Sequence, residues 1–150
     1  MTWYKFLVII HVMSAILGLG PGFVLTFIAV NLKTFSQVKW AFHIRDRIHI
    51  FVMIGGFLLL VSGLGMGLLN PELWKQGWYT VSLILYIVAL AISPLQLRAL
   101  MKPIKQILED HQGETIPPQY EELSKKLFFF EHIMNGMFVI IILLMITKPF

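Results

Sequence analysis

Four long stretches without charge dominate the hydrophobic pattern of the chain. Residues 6–30, 48–70 and 77–97 contain no charged side chain, and residues 127–147 contain only Glu131. A helix of about 20 apolar residues crosses the roughly 30 Å of hydrocarbon in a bilayer. Because lipid cannot satisfy bare backbone polar groups, stretches of this length predict four membrane-spanning helices.

Composition supports the same interpretation. Hydrophobic residues make up 57% of the 150 residues and charged residues 13%, whereas soluble domains average about 25% charged residues. We therefore predict an all-α integral membrane four-helix bundle in which residues 1–150 form a single transmembrane domain. The chain has no cysteine, which excludes disulfides, iron–sulfur clusters and thiolate metal sites.

The basic residues predict the orientation in the membrane. Nine of the twelve Lys and Arg side chains fall in the connections 31–47 and 98–126, and the other three are Lys5, Lys75 and Lys148. Cytoplasmic loops carry the excess of positive charge, so we predict that both termini lie outside, in a bacterial cytoplasmic (inner) membrane. The cations flank apolar segments and form no basic arm, so the expected partner is the lipid bilayer and not nucleic acid. A homo-oligomer or another membrane protein is a further candidate partner.

Each predicted span carries a stripe of small and polar residues. Such residues let helix backbones approach one another in lipid, so the stripes are expected to face the interior of a compact bundle. They are His11, Ser14, Ala15, Gly18 and Gly22; His49, Gly56, Gly63 and Gly67; Tyr79, Ser82, Tyr86, Ala89 and Ser93; and His132, Asn135, Gly136 and Val139.

Helix boundaries and irregularities can also be predicted. Pro21, within residues 18–22, removes a helix hydrogen bond, so the first helix is expected to be kinked or locally unwound there. This break would either aid packing or open the backbone beside a ligand or pore. Ser36 is the expected cap of the second helix, and the third is expected to continue past residue 97 through Ile104 to Leu108.

Two histidines predict a cofactor site. His49 and His132 lie at similar predicted depth near the cytoplasmic ends of separate spans, which is the minimum arrangement for a bis-imidazole haem b. Arg45 and Arg47 would then pair with the haem propionates. The alternative is that both histidines are interfacial or are hydrogen-bonded to neighbours on their own helices.

His11 lies nearer the opposite side of the membrane. It is either a ligand or proton-handling residue or a packing histidine, with Met66 nearby as a candidate soft axial ligand. The candidate metal ligands are therefore His11, His49, His132 and Met66. Glu131 is expected to face the interface or to pair with a nearby Lys.

The run from Leu7 to Gly20, with His11 followed by small residues and glycines, resembles the first span of small bacterial four-helix membrane proteins. With the glycine-rich second span and the ending from Leu144 to Pro149, nearly the whole chain is similar to a family known only as "predicted integral membrane protein". The first span also resembles those of the CopD copper-resistance family and the HemJ-type protoporphyrinogen oxidases. The HemJ resemblance implies haem b and porphyrinogen oxidation, with His11 at the matching position.

Three functions follow as hypotheses. The first is a haem b-binding, cytochrome b-like protein in electron transfer, haem handling or porphyrin redox chemistry. The second is a small transporter or metal-handling protein whose path is lined by residues 18–22. The third is a non-catalytic membrane assembly factor or partner subunit. Catalytic serine, phosphate-loop and zinc signatures are absent from the sequence, so no particular reaction is predicted.

Overall fold

Four long α-helices make up the chain. The computed structural model describes residues 3–30 and 32–149, with the backbone alone for residues 28–30; Asn31 in the first predicted connection and the ends of the predicted domain lie outside this range. The helices are α1 (Trp3–Val30), α2 (Phe35–Leu69), α3 (Gly77–Asp110) and α4 (Pro118–Thr147), with a short 3-10 helix at Pro71–Lys75 between α2 and α3. The described residues include no strand, and all four helices are long and apolar enough to cross a membrane. The predicted all-α membrane four-helix bundle is confirmed.

The helices are longer than a bilayer requires. At about 1.5 Å per residue, the 35 residues of α2 reach about 52 Å, against roughly 30 Å of hydrocarbon. The predicted extension of the third helix is confirmed, since α3 runs through Pro94 and Pro103 to Asp110. The predicted cap of the second helix is wrong: Thr34 is the N-cap, with a capping box in which the backbone N–H of Gln37 donates to its hydroxyl. The Thr34 hydroxyl and the Gln37 side chain satisfy two backbone donors reciprocally, which Ser36 cannot do from inside the first turn.

The start of α2, the end of α3 and the start of α4 extend together at one end of the bundle, which we call the basic end. They form a small hydrophobic core there. Its buried side chains include Phe35, Val38 and Ile104. The Phe35 backbone N–H donates to the Glu114 carbonyl at 3.0 Å, which ties the α3–α4 connection to α2. The opposite end, which contains Trp3, Trp74 and Trp78, is called the aromatic end.

Two helical hairpins form the bundle. α1 packs along α2, and α3 packs along α4, with fewer close approaches between the two pairs. The tightest crossing lies between α1 and α2, where a Cβ on Gly18 would stand 2.8 Å from the backbone nitrogen of Gly56 and 2.9 Å from the carbonyl carbon of Gly55. Small residues permit this close backbone approach. α1 continues as a helix through Pro21, so the alternative of local unwinding is wrong.

Hydrogen bonds from α3 and the preceding 3-10 helix join the hairpins. Three carbonyls on the glycine stripe of α2 accept them, at 2.9, 2.9 and 3.1 Å: Gly56 from the Tyr86 hydroxyl, Gly63 from the Tyr79 hydroxyl and Gly67 from the Trp74 indole N–H. A carbonyl beside a glycine can be reached because no side chain covers it. The α2 stripe is therefore the surface on which the second hairpin rests.

Burial confirms three of the four predicted stripes. Gly18, Gly63 and Ser82 are buried, for example, whereas on α4 His132, Gly136 and Val139 are exposed. The face that α4 buries instead includes Leu127, Met134 and Ile141. The predicted α4 stripe is wrong because large aliphatic side chains, and not small residues, fill the interior on this helix. Apolar side chains on the outer faces of all four helices are exposed, so the bundle contacts the lipid bilayer.

Candidate functional site

A cavity of about 480 Å³ lies between the two hairpins, in the half of the bundle toward the aromatic end. This volume falls within the range of small-molecule sites, about 300–1,000 Å³. All four helices contribute to the wall, which is almost entirely aliphatic and aromatic. Three of its apolar side chains, Val12, Ile16 and Ile146, are more than half exposed. The cavity is therefore open sideways toward lipid, between α1 and α4.

His11 supplies the one imidazole in the described part of this wall. Its Nδ1 lies 2.9 Å from the Ser62 hydroxyl oxygen. That hydroxyl oxygen is also 2.6 Å from the Leu58 carbonyl oxygen, which can only accept. The same hydroxyl oxygen lies 3.2 Å from the Leu59 carbonyl. When Ser62 donates its single hydrogen to one of these carbonyls, its oxygen can accept a hydrogen bond from an Nδ1–H of His11.

This arrangement favours one tautomer of His11. In a neutral imidazole, one nitrogen is protonated and the other carries a lone pair, so Nε2 is the nitrogen with the lone pair. Among residues 3–30 and 32–149, Nε2 has no hydrogen-bond partner. The ring also packs on α2, where a Cβ on Gly63 would stand 3.3 Å from Cε1 and 3.7 Å from Nδ1. Ser62 and Gly63 thus hold the Nδ1 side of the ring against α2, while the imidazole forms part of the cavity wall.

Ser82 is the second polar group of the wall. It lies on α3, opposite the α1–α2 hairpin, and its side chain is 0% exposed. Its hydroxyl has no hydrogen-bond partner within the described part of the chain. Buried hydroxyls are usually paired, because an unpaired one has lost its hydrogen bonds to water without replacement. The Ser82 hydroxyl exposes almost no surface to the cavity, however. The wall therefore suits an apolar molecule, with the His11 imidazole as its polar contact.

A separate polar cluster lies toward the basic end. Arg45 of α2 pairs with Glu131 of α4, and their side chains are only 11% and 13% exposed. The Thr26 hydroxyl of α1 lies 3.3 Å from the second Glu131 oxygen, and the Asn135 amide lies 3.4 Å from that hydroxyl. Glu131 thus pairs with an arginine, where a lysine or the interface was expected. Arg45 thus already holds one carboxylate within the protein, and its pairing with a haem propionate stays a prediction.

The other predicted ligands lie apart from the cavity. His132 is exposed, and its Nδ1 lies 2.6 Å from the Phe128 carbonyl of its own helix. His49 is half-buried, one turn from Asp46, which pairs with Lys105 of α3 at 2.7 Å. Glu131, and not His132, pairs with α2. The described residues show no contact between the His49 and His132 rings, and haem ligation by this pair stays a prediction. Arg47 is exposed, and Met66 is buried outside the cavity wall. The described residues include no cluster of three or more side chains suited to a metal ion.

A family model described as "Predicted integral membrane protein (DUF2269)" matches residues 5–149. The chain belongs to the DUF2269 family. No curated protein and no solved structure matches the chain. The family description agrees with the four spans and confirms the resemblance to the "predicted integral membrane protein" family, while the likeness to CopD and HemJ stays a prediction.

In this DUF2269 protein, sequence reasoning missed two serines of the site. Ser62 lies between the stripe positions Gly56 and Gly67 and next to Gly63, so its placement on the same face as the glycines was readable from helical spacing. Ser82 was expected to face inward but was not connected with a ligand. Whether a buried hydroxyl has a hydrogen-bond partner depends on the distances between helices. The spacing of residues along one helix does not give those distances.

Proposed function

We propose that this DUF2269 protein binds a hydrophobic ring-shaped ligand, drawn from the bilayer into the cavity beside His11, and that the ligand is haem b. The observation that carries the proposal is the His11 imidazole in the wall of an apolar cavity, held through Nδ1 by Ser62. Metal-ligating histidines donate their other ring N–H to a fixed acceptor, which sets the tautomer and the ring orientation. Ser62 provides that acceptor.

The shape and chemistry of the cavity support the same ligand. A porphyrin ring is broad, flat and apolar over both faces, and the wall of aliphatic and aromatic side chains suits such faces. The sideways opening gives a path for a molecule dissolved in lipid. The first helix resembles that of HemJ-type proteins, for which the resemblance implies haem b at the position of His11. The proposed site replaces the His49 and His132 pair with single histidine ligation.

Function would then be haem handling or haem-based electron transfer in a bacterial inner membrane, with both termini outside. A transporter for hydrophilic ions draws less support, since it calls for a polar cavity and this wall is apolar. Residues 18–22 also serve packing in part, because Gly18 lies directly on the α2 backbone. No particular observation favours a non-catalytic subunit.

A haem titration tests the proposal. Protein purified in detergent without haem is titrated with haemin, and the Soret band of the bound form is followed by absorbance. We expect saturation near one haem per chain in the wild type and loss of that band in His11→Ala. His132→Ala is the matched control, since its imidazole is exposed and is not part of the cavity wall.

Two outcomes would overturn the assignment. If folded wild type gives no saturable Soret band, the cavity does not bind haem. If His11→Ala binds as wild type does while His49→Ala or His132→Ala abolishes binding, the ligands are the pair near the basic end.

A further inference from the structure

The wall of the cavity is uncharged. The side chains that line it in the described part of the chain include no Lys, Arg, Asp or Glu. The hydroxyls of its two tyrosines, Tyr79 and Tyr86, already donate to carbonyls of α2 at 2.9 Å, and the Ser82 hydroxyl exposes almost no surface. The His11 imidazole is therefore the polar group that remains for a ligand. A carboxylate would find no counter-ion in this wall, whereas an uncharged molecule needs none.

The mouth of the cavity opens to hydrocarbon. Val12 and Ile16 on α1 and Ile146 on α4 belong to the wall and are more than half exposed. A molecule can therefore enter from the bilayer, and an apolar tail attached to it can remain in lipid. Inside, Phe23 and the rings of the two tyrosines contribute aromatic surface to the wall, against which a flat ring packs favourably.

We infer that the cavity binds an uncharged, lipid-soluble ring that carries a hydroxyl group and an apolar tail, which is the chemistry of an isoprenoid quinol. The ring lies among the apolar side chains, a hydroxyl donates to the His11 imidazole, and the tail passes between α1 and α4 into lipid. The tautomer that Ser62 favours has its lone pair on Nε2, so it accepts from a quinol hydroxyl. This inference goes beyond the proposed function, because it requires neither iron nor propionates.

Decylubiquinol, a quinol with a short tail, is the probe. Protein in lipid nanodiscs, prepared without haem, is titrated with the tritium-labelled probe under anaerobic conditions, and partition into empty nanodiscs is subtracted. We expect saturation near one molecule per chain. The dimethyl ether of decylubiquinol keeps the ring and tail but has no hydroxyl hydrogen, so it should bind roughly two- to tenfold more weakly. Dodecanoate, which has a tail of similar length but carries a charge, should not compete.

Two variants test the hydrogen bond and the cavity separately. His11→Phe keeps a ring but removes both nitrogens, so it should lower the affinity for decylubiquinol roughly two- to tenfold and abolish the difference between probe and ether. Gly20→Leu fills the cavity, because Gly20 belongs to the wall and a Cβ there would meet no described atom within 4 Å. Its affinity should fall by roughly tenfold or more.

Matched controls exist for both variants. His132→Phe replaces an exposed histidine outside the wall. Gly136→Leu adds the same side chain at a second glycine with open space, also outside the wall. Both controls should bind decylubiquinol as wild type does. Circular dichroism checks the fold of each variant, and the comparison of probe and ether in the wild type needs no variant at all.

The inference is wrong if wild type shows no saturable binding of decylubiquinol, if the ether binds equally well, or if folded Gly20→Leu binds as tightly as wild type. Binding that His11→Phe weakens and Gly20→Leu blocks, with both controls unchanged, supports it. The haem titration is decided separately. A protein that binds decylubiquinol but gives no Soret band keeps this site and loses the proposed function, and one that binds haemin but not decylubiquinol does the reverse.

Discussion

The buried Arg45–Glu131 pair gives a prediction whose size follows from the structure. Glu131→Gln keeps the shape of the side chain but removes its charge, which leaves the Arg45 guanidinium about nine-tenths buried without a counter-ion. Breaking a buried pair by removing one partner costs about 3–5 kcal/mol, because the remaining charge has lost its water and its partner. At roughly 2–4 °C per kcal/mol for a chain of this size, the melting temperature should fall by roughly 6–20 °C.

Replacing both partners should cost much less. In Arg45→Met with Glu131→Leu, no charge is left buried, and similar exchanges of buried ion pairs are often neutral or stabilising. The control is Asp46→Asn, which breaks the pair with Lys105, an equally direct link from α2 to another helix. Its side chains are 51% and 48% exposed, so its loss should cost less than about 1 kcal/mol.

Thermal unfolding of the purified wild type and the three variants in one detergent, followed by circular dichroism, measures these differences. The ion-pair account fails if Glu131→Gln melts within the experimental error of Asp46→Asn. It also fails if the double variant is less stable than Glu131→Gln, because the charge left behind would then not be the cause of the loss.

Three further predictions concern packing, hydrogen bonding and topology. Gly18→Ala places a methyl group against the α2 backbone and should lower the free energy of unfolding by about 1–3 kcal/mol. The control Gly20→Ala places its methyl group where no atom lies within 4 Å. Equal melting temperatures of the two variants would contradict the close crossing of α1 and α2. Tyr86→Phe removes one hydrogen bond to an α2 carbonyl and should cost about 1 kcal/mol in the same assay, and an unchanged stability would mean that this bond contributes nothing. In this cysteine-free chain, Glu72→Cys should react with a membrane-impermeant maleimide in intact cells and Gln112→Cys only after lysis; the reverse pattern would invert the topology.

The sequence was enough to predict the helices and most of their inward faces. Charged residues mark the ends of each uncharged stretch. Because lipid offers no hydrogen-bond partners, a stretch of this length must form its backbone hydrogen bonds within a helix. The Thr34 cap was also within reach, since Thr34 and Gln37 have the spacing of a capping box. The glycines of α2 recur on one face of the helix, and the burial of Gly56, Gly63 and Gly67 confirms that this face points inward.

The candidate site was less predictable, because it depends on rotation and on pairs far apart in the chain. Each residue turns a helix by about 100°, so an error of one position exchanges His132 for Glu131 as the residue that faces α2. Arg45 and Glu131 are 86 residues apart, and no local pattern connects them. His11 and Ser62 are likewise 51 residues apart, and their contact could not be read from either helix alone.

The protonation of His11 tests the account most directly, since the proposed site depends on an Nε2 lone pair at the cavity. Nitrogen-15 NMR of histidine-labelled protein without ligand, compared with His11→Gln, isolates the two ring nitrogens of His11. We predict a neutral ring with the hydrogen on Nδ1 and a bare Nε2, and loss of this preference in Ser62→Ala. A wild-type His11 with its hydrogen on Nε2 would contradict the assignment of this residue as a metal ligand.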